Sequence, residues 1–375
     1  MRVGIVTPNI VKRDGQGRVN FEIAWEAIRR GYQVTLLASR VAPELQQSSQ
    51  VNWIHIPVKG WPAQLLREVV FAWRSAAWLR QHESEIDVVQ VNGAVTQAPG
   101  DVNLVPFVHS AWLRSPLHIS RVHRNLYGFY QWLYTVWNAR WEKQAFQDAK
   151  VVVAVSHRVK KELLDIGVPE ERIRVIWCGV DLQEFSPGEA DREKWNLPKQ
   201  VPLALFVGDI TLNRKNLDTV LRALVHVPDL HLAVVGTVES SPYPQLAAEL
   251  GLNERVHFVG NEHIIVSELM RAVDIFVFPS RYEPFGLVVI EAMASGLPVV
   301  TAATTGAAEL VTPECGVVLS DSEDVDGLAE ALSTLASKPE LRTQMGRAAR
   351  SIAEQHSWKI MAQSYVDLFE ELSKT

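Results

Sequence analysis

Two glutamates eight residues apart, Glu283 and Glu291, give the strongest local indication of chemistry in this sequence. They bound the segment Glu283-Pro-Phe-Gly-Leu-Val-Val-Ile-Glu291, which is typical of a loop that leads into a helix. Eight residues make about two helical turns, so both carboxylates would lie on roughly the same face. The segment therefore offers two carboxylates for two separate hydroxyl groups. The alternative is a helix-capping glutamate followed by an ordinary helix glutamate.

The same segment predicts a site for an anion at the start of the helix. Pro284 suits the first helical turn. Amides at a helix N-terminus bind phosphate well, and Gly286 would let a ligand come close. Three amides would face such a ligand, those of Phe285, Gly286 and Leu287.

Two adjacent cations, Arg214 and Lys215, follow an expected strand and precede an amphipathic helical pattern. Cations at a helix N-terminus oppose the helix dipole, and an anionic ligand such as a diphosphate would relieve that cost. Arginine and lysine both suit phosphate oxygens. The alternative is a solvated basic turn.

His109 stands at the expected end of a strand, after the apolar run Val105–Val108. It is a candidate for chemistry, but a single histidine in such a place is more often one satisfied inside the core. The histidines and the cysteines Cys178 and Cys315 show no metal-ligand spacing, so no metal site is expected.

Glycines also follow the first expected strand, in Gly15-Gln-Gly17. We interpret them as a short glycine loop. Because Asn20 holds the last place of the G-x-G-x-x-G pattern, a dinucleotide cofactor is disfavoured. The one Asp-x-Asp, Asp324-Val-Asp326, is explained better as a helix cap than as a metal ligand.

Short apolar runs alternate with helical patterns along all 375 residues, which predicts parallel sheets built of βαβ units. The expected strands are Val3–Thr7, Val34–Ala38, Asp87–Asn92, Val105–Val108, Val151–Val155, Arg174–Ile176, Leu203–Val207, His231–Val235, Val256–Val259, Asp274–Pro279, Pro298–Thr301 and Gly316–Leu319. Ligands bind beyond the carboxyl ends of such strands. The Pro- and Gly-containing stretch Ser186–Arg192 is the best linker candidate between two domains.

Charge is uneven between the two halves. Residues 1–181 contain 22 Lys and Arg and 16 Asp and Glu, a balance of +6, and residues 182–375 have a balance of −12. Residues 1–181 could therefore face something anionic, whereas residues 182–375 offer no general basic surface. The alternative is a chance asymmetry between two domains. No nucleic-acid partner is expected. Aromatic residues crowd the segment from Tyr127 to Trp141, with basic residues beside them, within the aromatic–basic stretch 112–143. This segment would be an acceptor wall, a membrane-facing surface or a core helix. No apolar run is long enough to span a membrane or to act as a signal peptide, so we expect a cytoplasmic protein.

Taken together, these segments resemble the GT-B-fold retaining glycosyltransferases of glycosyltransferase family 4. The most specific part of the resemblance is the E-x7-E segment with its Ala-Met-Ala-Ser-Gly-Leu-Pro-Val-Val tail. The stretch Ile176–Phe185 resembles the family's domain junction. The resemblance implies an α/β protein with two Rossmann-like domains, whose parallel sheets face an interdomain cleft. The acceptor-side domain would comprise residues 1–183, with the helix at 357–375 crossing back to it, and the donor domain residues 184–356.

The resemblance also implies roles for individual residues. Glu283 would hold hydroxyls of the donor sugar, and Glu291 the ribose. Arg214 and Lys215 would bind the diphosphate, and His109 would lie beside the donor sugar. The remaining donor contacts would come from Gly17, Gly208, Val259, Gly260, His263, Phe285, Gly286 and Leu287. Many members of the family have Arg directly after the glycine that corresponds to Gly208. Here Asp209 takes that place, and Arg214 would supply the missing charge.

The implied reaction moves a hexosyl group from a UDP- or GDP-sugar to a hydroxyl of a glycan, lipid-linked or small-molecule acceptor. It would proceed through an oxocarbenium-like state with retention of configuration, without a metal or other cofactor. Peripheral contact with an anionic membrane, at its inner face, is a further hypothesis. Two alternatives stay open: a nucleotide-sugar 2-epimerase of the same fold, and a two-lobed sugar- or nucleotide-binding protein.

Overall fold

The computed structural model describes residues 1–12, 14–60, 63–260 and 265–374. The chain divides into two compact units. The first consists of Met1–Cys178 together with the C-terminal segment from Trp358, and the second of Gly179–Ser357. Both are α/β units with parallel sheets, as the sequence predicts.

In the first unit, the described residues form a seven-stranded parallel sheet with the order β5-β3-β1-β6-β7-β8-β9. Among its inner strands, β8 is an apolar run in which every residue is buried, as expected for a strand covered on both faces. A short parallel pair, β2 and β4, lies outside this sheet. The strands are β1 (Arg2–Val6), β2 (Asn9–Ile10), β3 (Gln33–Ala38), β4 (Arg40–Val41), β5 (Val51–His55), β6 (Val88–Asn92), β7 (Val102–Val105), β8 (Val151–Ala154) and β9 (Ile173–Val175).

Helices connect most of these strands, as is usual for parallel pairing, whereas residues 93–101 join β6 to β7 without a helix. The helices are α1 (Gly15–Arg29), α2 (Pro43–Gln46), α3 (Gln64–Gln81), α4 (His109–Arg114), α5 (Ile119–Val122), α6 (Leu126–Asp148) and α7 (His157–Leu164).

In the second unit, the described residues form a six-stranded parallel sheet with the order β12-β11-β10-β13-β14-β15. Its strands are β10 (Leu203–Val207), β11 (His231–Val235), β12 (Val256–Gly260), β13 (Ile275–Phe278), β14 (Val299–Ala302) and β15 (Gly316–Leu319). Its helices are α8 (Leu217–Val225), α9 (Tyr243–Glu249), α10 (Val266–Arg271), α11 (Leu287–Ala294), α12 (Val325–Ser337) and α13 (Pro339–Ala353).

The C-terminal helix α14 (Trp358–Ser373) belongs to the first unit, where it packs against α1. Arg30 at the end of α1 forms ion pairs with Asp367 at 2.6 Å and Glu370 at 2.7 Å. The chain therefore begins and ends in the same unit.

Two predicted elements of the first unit are wrong in their position or type. The strand predicted at 105–108 lies at Val102–Val105, so residues 106–108 form a connection to α4. Gly15 and Gly17 do not form a loop, because α1 begins at Gly15. A Cβ added at Gly17 would lie 2.8 Å from the carbonyl oxygen of Val11. The glycine thus allows the preceding loop to pack closely on the first helical turn.

The aromatic segment forms α6, and much of it is exposed. Tyr127, Phe129, Trp132 and Trp137 are 41–58% exposed. A core position is therefore wrong for these four side chains. Most of the buried residues of α6 are small or polar, namely Gly128, Thr135, Asn138 and Glu142. The apolar Phe146 is buried as well.

Cys178 and Cys315 are both free and buried. One smaller prediction is confirmed. The Asp324 carboxyl accepts a hydrogen bond from the Gly327 amide at 2.9 Å and caps α12.

Candidate functional site

In the second unit, loops at the carboxyl ends of neighbouring strands carry the predicted donor residues. Gly208 follows β10, and its amide donates to the Val235 carbonyl at the end of β11. The amide of Gly236 donates in turn to the carbonyl of Gly260 at the end of β12. Because carboxyl ends of parallel strands share one edge of the sheet, these backbones lie together there.

Lys215 and Glu283 form an ion pair at this edge, although 68 residues separate them in sequence. Arg214 approaches the same Glu283 oxygen at 3.6 Å. Lys215 also lies over the ring of Phe278, with its nitrogen 5.1 Å from the ring centre. The cluster of two cations and one carboxylate carries a net positive charge, which suits an anionic ligand.

Burial lowers the pKa of the Lys215 ammonium, and the neighbouring Arg214 charge acts in the same direction. The carboxylate of Glu283 opposes both effects. The net result is a pKa below the usual value for lysine. A phosphate group close to Lys215 would add negative charge and favour the protonated ammonium.

A turn at Asn216 holds the two cations in place, and sequence reasoning missed it. Asn216 is fully buried and has φ of +68°. Its side-chain amide donates to the Pro279 carbonyl at 2.9 Å and to the Ser322 carbonyl at 2.6 Å. The 3-10 turn Asn213–Lys215 is thereby tied to the end of β13. Asparagine is one of the few residues that tolerate this left-handed conformation, which is the available sequence signal.

The helix after Glu283 begins later than predicted. Pro284 does not lie in its first turn, since α11 starts at Leu287 with Gly286 as its N-cap. The reason is the φ of +96° at Gly286, which interrupts a right-handed helix. Phe285, Gly286 and Leu287 still precede or open the helix, where amides lie outside the helical hydrogen-bond ladder.

The loop before α11 is fixed by backbone pairing. The amide of Glu283 donates to the Thr304 carbonyl at 3.1 Å. The carbonyls of Glu283 and Phe285 accept from the amides of Gly306 and Ala307 at 2.9 and 2.7 Å. A Cβ added at Gly286 would lie 3.0 Å from Thr305 and 3.1 Å from Glu283. The absence of a side chain at Gly286 therefore sets the position of the Glu283 carboxyl.

Glu291 lies inside α11, one turn after its first residue. Burial raises the pKa of its carboxyl group to about 7, with a smaller contribution from the charge of Glu184. A hydroxyl group that donates to the ionised carboxyl would favour ionisation and lower this pKa.

The other residues predicted to contact the donor in the second unit are Gly208, Val259, Gly260 and His263. A Cβ at Gly208 would contact the Lys215 side chain at 3.3 Å, so this glycine leaves room for the lysine. Val259 and Gly260 end β12 and are partly exposed. His263 lies outside the described residues.

In the first unit, His109 is the first residue of α4 rather than the end of a strand. The Glu142 carboxyl on α6 binds it twice. One oxygen lies 2.6 Å from Nδ1, and the other accepts from the His109 amide at 2.9 Å. Burial by itself lowers the pKa of His109, but the charge and hydrogen bond of Glu142, helped by Glu68, outweigh burial and raise it. Glu142 therefore favours a protonated imidazole whose Nε2 is directed away from the carboxyl.

A cavity of about 300 Å³ lies beside His109. The Tyr134 hydroxyl donates to Glu68 Oε1 at 2.6 Å, and the Asn138 amide donates to Glu68 Oε2 at 3.4 Å. Burial, together with the charge and hydrogen bond of Glu68, raises the pKa of Tyr134. The cavity lining further includes Gln16 of α1, Gln64, Phe71 and Asn92. Tyr134 belongs to the aromatic segment that was considered as an acceptor wall. Apart from Tyr134 and His109, none of these residues was singled out from the sequence, because they come from four separate elements.

The described part of the chain contains neither a helix suited to span a membrane nor a cluster of metal-binding side chains. No helix there combines the length and apolar character needed to cross a membrane. Among the same residues, no group of three or more His, Cys, Asp or Glu is arranged to hold a metal ion. The expectation of a metal-independent reaction stays a prediction.

Two family models match the chain and together cover most of it. The model described as Glycosyltransferase Family 4 matches residues 13–184, and the model described as Glycosyl transferases group 1 matches residues 188–352. The chain is 31% identical to a D-inositol 3-phosphate glycosyltransferase from Xylanimonas cellulosilytica, over 62% of this chain and 60% of that protein. It is 28% identical to an uncharacterized glycosyltransferase from Methanocaldococcus jannaschii, over 58% of this chain and 59% of that protein. The chain thus spans about three fifths of the length of these relatives.

Solved structures agree with the family models. Sucrose-phosphate synthase from Thermosynechococcus elongatus has a TM-score of 0.80 at 21% identity, over 99% of both chains. The Anabaena protein HepE, in complex with UDP and glucose, has a TM-score of 0.71 at 21% identity, over 99% of this chain and 100% of that one. At this identity the likeness concerns the fold. By its fold and by both family models, the chain belongs to the GT-B glycosyltransferases of the family 4 type.

Proposed function

We propose that this protein is a retaining glycosyltransferase that moves a hexosyl group from a nucleotide-diphosphate sugar to an acceptor hydroxyl. The observation that supports it most is the cluster of Arg214, Lys215 and Glu283 beside the start of α11. The two cations suit a diphosphate, and the carboxyl of Glu283 suits the hydroxyls of a sugar attached to it.

The donor would occupy the edge of the second-unit sheet. The diphosphate would replace the Glu283 carboxyl as the ion-pair partner of Arg214 and Lys215. The amides of Phe285, Gly286 and Leu287, at the start of the helix, would donate further hydrogen bonds to it. The ribose would bind Glu291, and the base would lie near Val259 and Gly260. Gly208 and Gly17 would allow close approach of backbone to the donor.

Bond breaking at the anomeric carbon leaves negative charge on the departing nucleoside diphosphate. Fixed positive charge at that position stabilises the transition state more than the ground state. Arg214 and Lys215 would supply this charge, so the reaction needs no metal ion. His109 would lie beside the donor sugar, and the acceptor hydroxyl would attack from the face that the diphosphate leaves, which retains the configuration. The acceptor would bind in the cavity beside His109.

The first experiment is thermal unfolding of the purified protein with a panel of UDP-, GDP- and ADP-sugars in the presence of EDTA. HepE was solved with UDP and glucose, so UDP-sugars come first in the panel. We expect a rise in Tm of several degrees for one donor, as ligand binding to the folded state requires. The rise should disappear in Arg214→Ala/Lys215→Ala. No rise with any nucleotide sugar would contradict the proposal.

The two alternatives give different outcomes. A nucleotide-sugar 2-epimerase would release an altered free nucleotide sugar or sugar without any acceptor. A binding protein would return the donor unchanged after prolonged incubation. Chromatography of the nucleotide products after incubation with an acceptor separates the transferase, the epimerase and the binding protein, because only the transferase releases a nucleoside diphosphate and forms a glycoside.

We further propose that the exposed aromatic face of α5 and α6 contacts an anionic membrane. Apolar side chains on this face reach 89% exposure at Leu126 and 58% at Phe129. Exposed arginines and a lysine flank them, at Arg121, Arg124, Arg140 and Lys143. Aromatic residues beside basic ones suit the interface of an anionic bilayer.

Sedimentation with vesicles tests this contact. The protein should sediment with vesicles that contain anionic phosphatidylglycerol at low salt, and remain in the supernatant with neutral phosphatidylcholine. Phe129→Ser/Trp132→Ser should weaken sedimentation at least tenfold. Trp73→Ser on α3, a 61% exposed tryptophan elsewhere, is the control and should bind as the unchanged protein does. Equal binding by all three proteins would exclude this surface.

A further inference from the structure

The cavity beside His109 is lined by carboxyl and amide groups, and its described lining lacks the lysines and arginines that would bind a phosphate group. Two carboxyl groups line it, those of Glu68 and Glu142, together with the amides of Gln16, Gln64 and Asn138. Among the described residues of the lining, none is lysine or arginine. The cation that His109 becomes on protonation is already paired with Glu142.

Asn92, at the carboxyl end of β6, is the most informative residue of this lining. It is 2% exposed, and neither its Nδ2 nor its Oδ1 has a hydrogen-bond partner among the described residues. A buried side-chain amide without partners lowers the stability of the folded chain, and a ligand that pairs with it removes that cost. A ligand hydroxyl can both donate to Oδ1 and accept from Nδ2, so it would satisfy both atoms of this amide.

An anionic group would fit poorly in the same place. A phosphate offers only acceptor oxygens at full ionisation, and it would stand close to the carboxyls of Glu68 and Glu142. Like charges in a partly desolvated site repel each other more strongly than in water. The carboxyl of Glu68 accepts hydrogen bonds, and the lining side-chain amides both donate and accept them. These groups therefore suit neutral ligand groups such as hydroxyls, which also donate and accept.

We infer that this cavity binds an uncharged, polyhydroxylated part of the acceptor, a sugar or cyclitol ring without phosphate, and that Asn92 recognises its hydroxyls. The inference rests on the proposed function, since it names the acceptor class of that reaction. It sets this chain apart from relatives whose names specify inositol 3-phosphate as the acceptor. A site built to hydrogen-bond a hydroxyl rejects groups that leave its polar atoms unpaired.

Ligand-observed NMR titrations test the inference. The probes are glucose, mannose and myo-inositol, each beside its monophosphate, and UDP is titrated separately into the same protein. At least one neutral probe should bind, and its monophosphate at least tenfold more weakly. Asn92→Leu should weaken the neutral probe at least tenfold while leaving the UDP affinity unchanged. The control Asn52→Leu, on an exposed position of β5, should change neither.

Glu68→Gln provides a second variant of nearly the same size. Removing this negative charge should reduce the discrimination against the monophosphate several-fold. Tighter binding of a monophosphate, or unchanged binding in Asn92→Leu, would overturn the inference. If UDP binds and no neutral probe does, the inference fails and the proposed function stands. If no nucleoside diphosphate binds, the proposed function itself fails.

Discussion

The two candidate sites of this molecule differ most in the sign of the charge that they present. In the second unit, Arg214 and Lys215 surround a single carboxyl, that of Glu283. In the first unit, two carboxyls and several amides line a cavity whose cation, His109, is paired with Glu142. Parallel α/β sheets provide both sites, so the fold does not determine the ligand. The side chains at the strand ends do, and they suit an anion in one unit and a neutral polyol in the other.

The largest expected effect removes the positive charge of the second unit. Charge-assisted hydrogen bonds contribute about 1.5–3 kcal/mol each, so Arg214→Ala/Lys215→Ala should lose about 3–6 kcal/mol of nucleoside diphosphate binding. This corresponds to a Kd that rises about 10²- to 10⁴-fold in calorimetric titration. Binding in the first-unit cavity should not change. Arg222→Ala, an exposed position on α8, is the control. A Kd that rises less than tenfold would show that the two cations do not hold the diphosphate.

The second prediction concerns the glycine that positions Glu283. Gly286→Ala adds a Cβ within 3.1 Å of two neighbours at a φ of +96°. Strain at positive φ costs about 1–2 kcal/mol and overpacking about 1–3 kcal/mol, so the free energy of unfolding should fall by about 2–5 kcal/mol. Urea denaturation measures this loss.

Gly251→Ala is the matched control for Gly286→Ala. Gly251 has φ of +71°, but an added Cβ meets nothing within 4 Å. It should therefore lose only the conformational part, about 1–2 kcal/mol. Equal losses for the two variants would show that close packing at Gly286 is unimportant.

The third prediction is a pH dependence from Glu291. Its pKa is about 7 in the folded chain, against 4.5 without the protein environment. Because the folded value is higher, ionisation costs folding free energy. The cost begins above pH 4.5 and is complete above pH 7. Glu291→Gln should thus be more stable than the unchanged protein at pH 8, by roughly 3 kcal/mol at most, and nearly equal to it at pH 4.5.

Urea denaturation at the two pH values checks the Glu291 prediction, with the exposed Glu330→Gln on α12 as control. The same Glu291→Gln variant should bind nucleoside diphosphates more weakly at pH 8, because the ribose loses an ionised acceptor. A stability gain that is independent of pH would contradict the assigned pKa.

The smallest expected effect lies in the first unit. In Glu142→Gln the charge that raises the pKa of His109 is gone while burial remains, so the imidazole pKa should fall below its present value. Since the folded pKa exceeds the ordinary 6.5, the pair stabilises the protein fully below pH 6.5. This contribution is lost as pH rises through the folded pKa.

NMR titration of the His109 ring measures the shift caused by Glu142→Gln. We also expect kcat to fall about 10- to 100-fold as the ring loses its fixed orientation, with an unchanged Kd for the nucleotide. Glu83→Gln, an exposed glutamate of the same unit, should leave both quantities unchanged. An unaltered His109 pKa would show that Glu142 does not control the ring.

The sequence predicts the sheets well, because strands buried on both faces are continuous apolar runs. The strands Leu203–Val207, His231–Val235 and Gly316–Leu319 have the predicted bounds. The edge strand Val51–His55 was missed because none of its residues is fully buried, so its apolar pattern is not continuous. Gly15 and Gly17 were misread because glycines in a first helical turn have the same spacing as glycines in a loop.

Sequence reasoning singled out the candidate site residues that are neighbours in sequence, as from Glu283 to Glu291, and their roles stay predictions. The Lys215–Glu283 pair and the contact of His109 with Glu142 were not predicted, because 68 and 33 residues separate their partners. Such contacts arise from strand order and helix packing, which a single sequence does not specify. The sequence does not show that the side-chain amide of Asn92 is buried without a hydrogen-bond partner among the described residues, because this depends on the packing around it.

The most direct test of the central claim is an NMR assay of the complete reaction in EDTA. The protein is incubated with the donor that stabilises it and with a neutral sugar acceptor, and the anomeric protons of donor and product are compared. The account predicts a new glycosidic bond with the anomeric configuration of the donor and release of the nucleoside diphosphate. An inverted product, a strict requirement for a metal ion, or release of an epimerised sugar without transfer would contradict it.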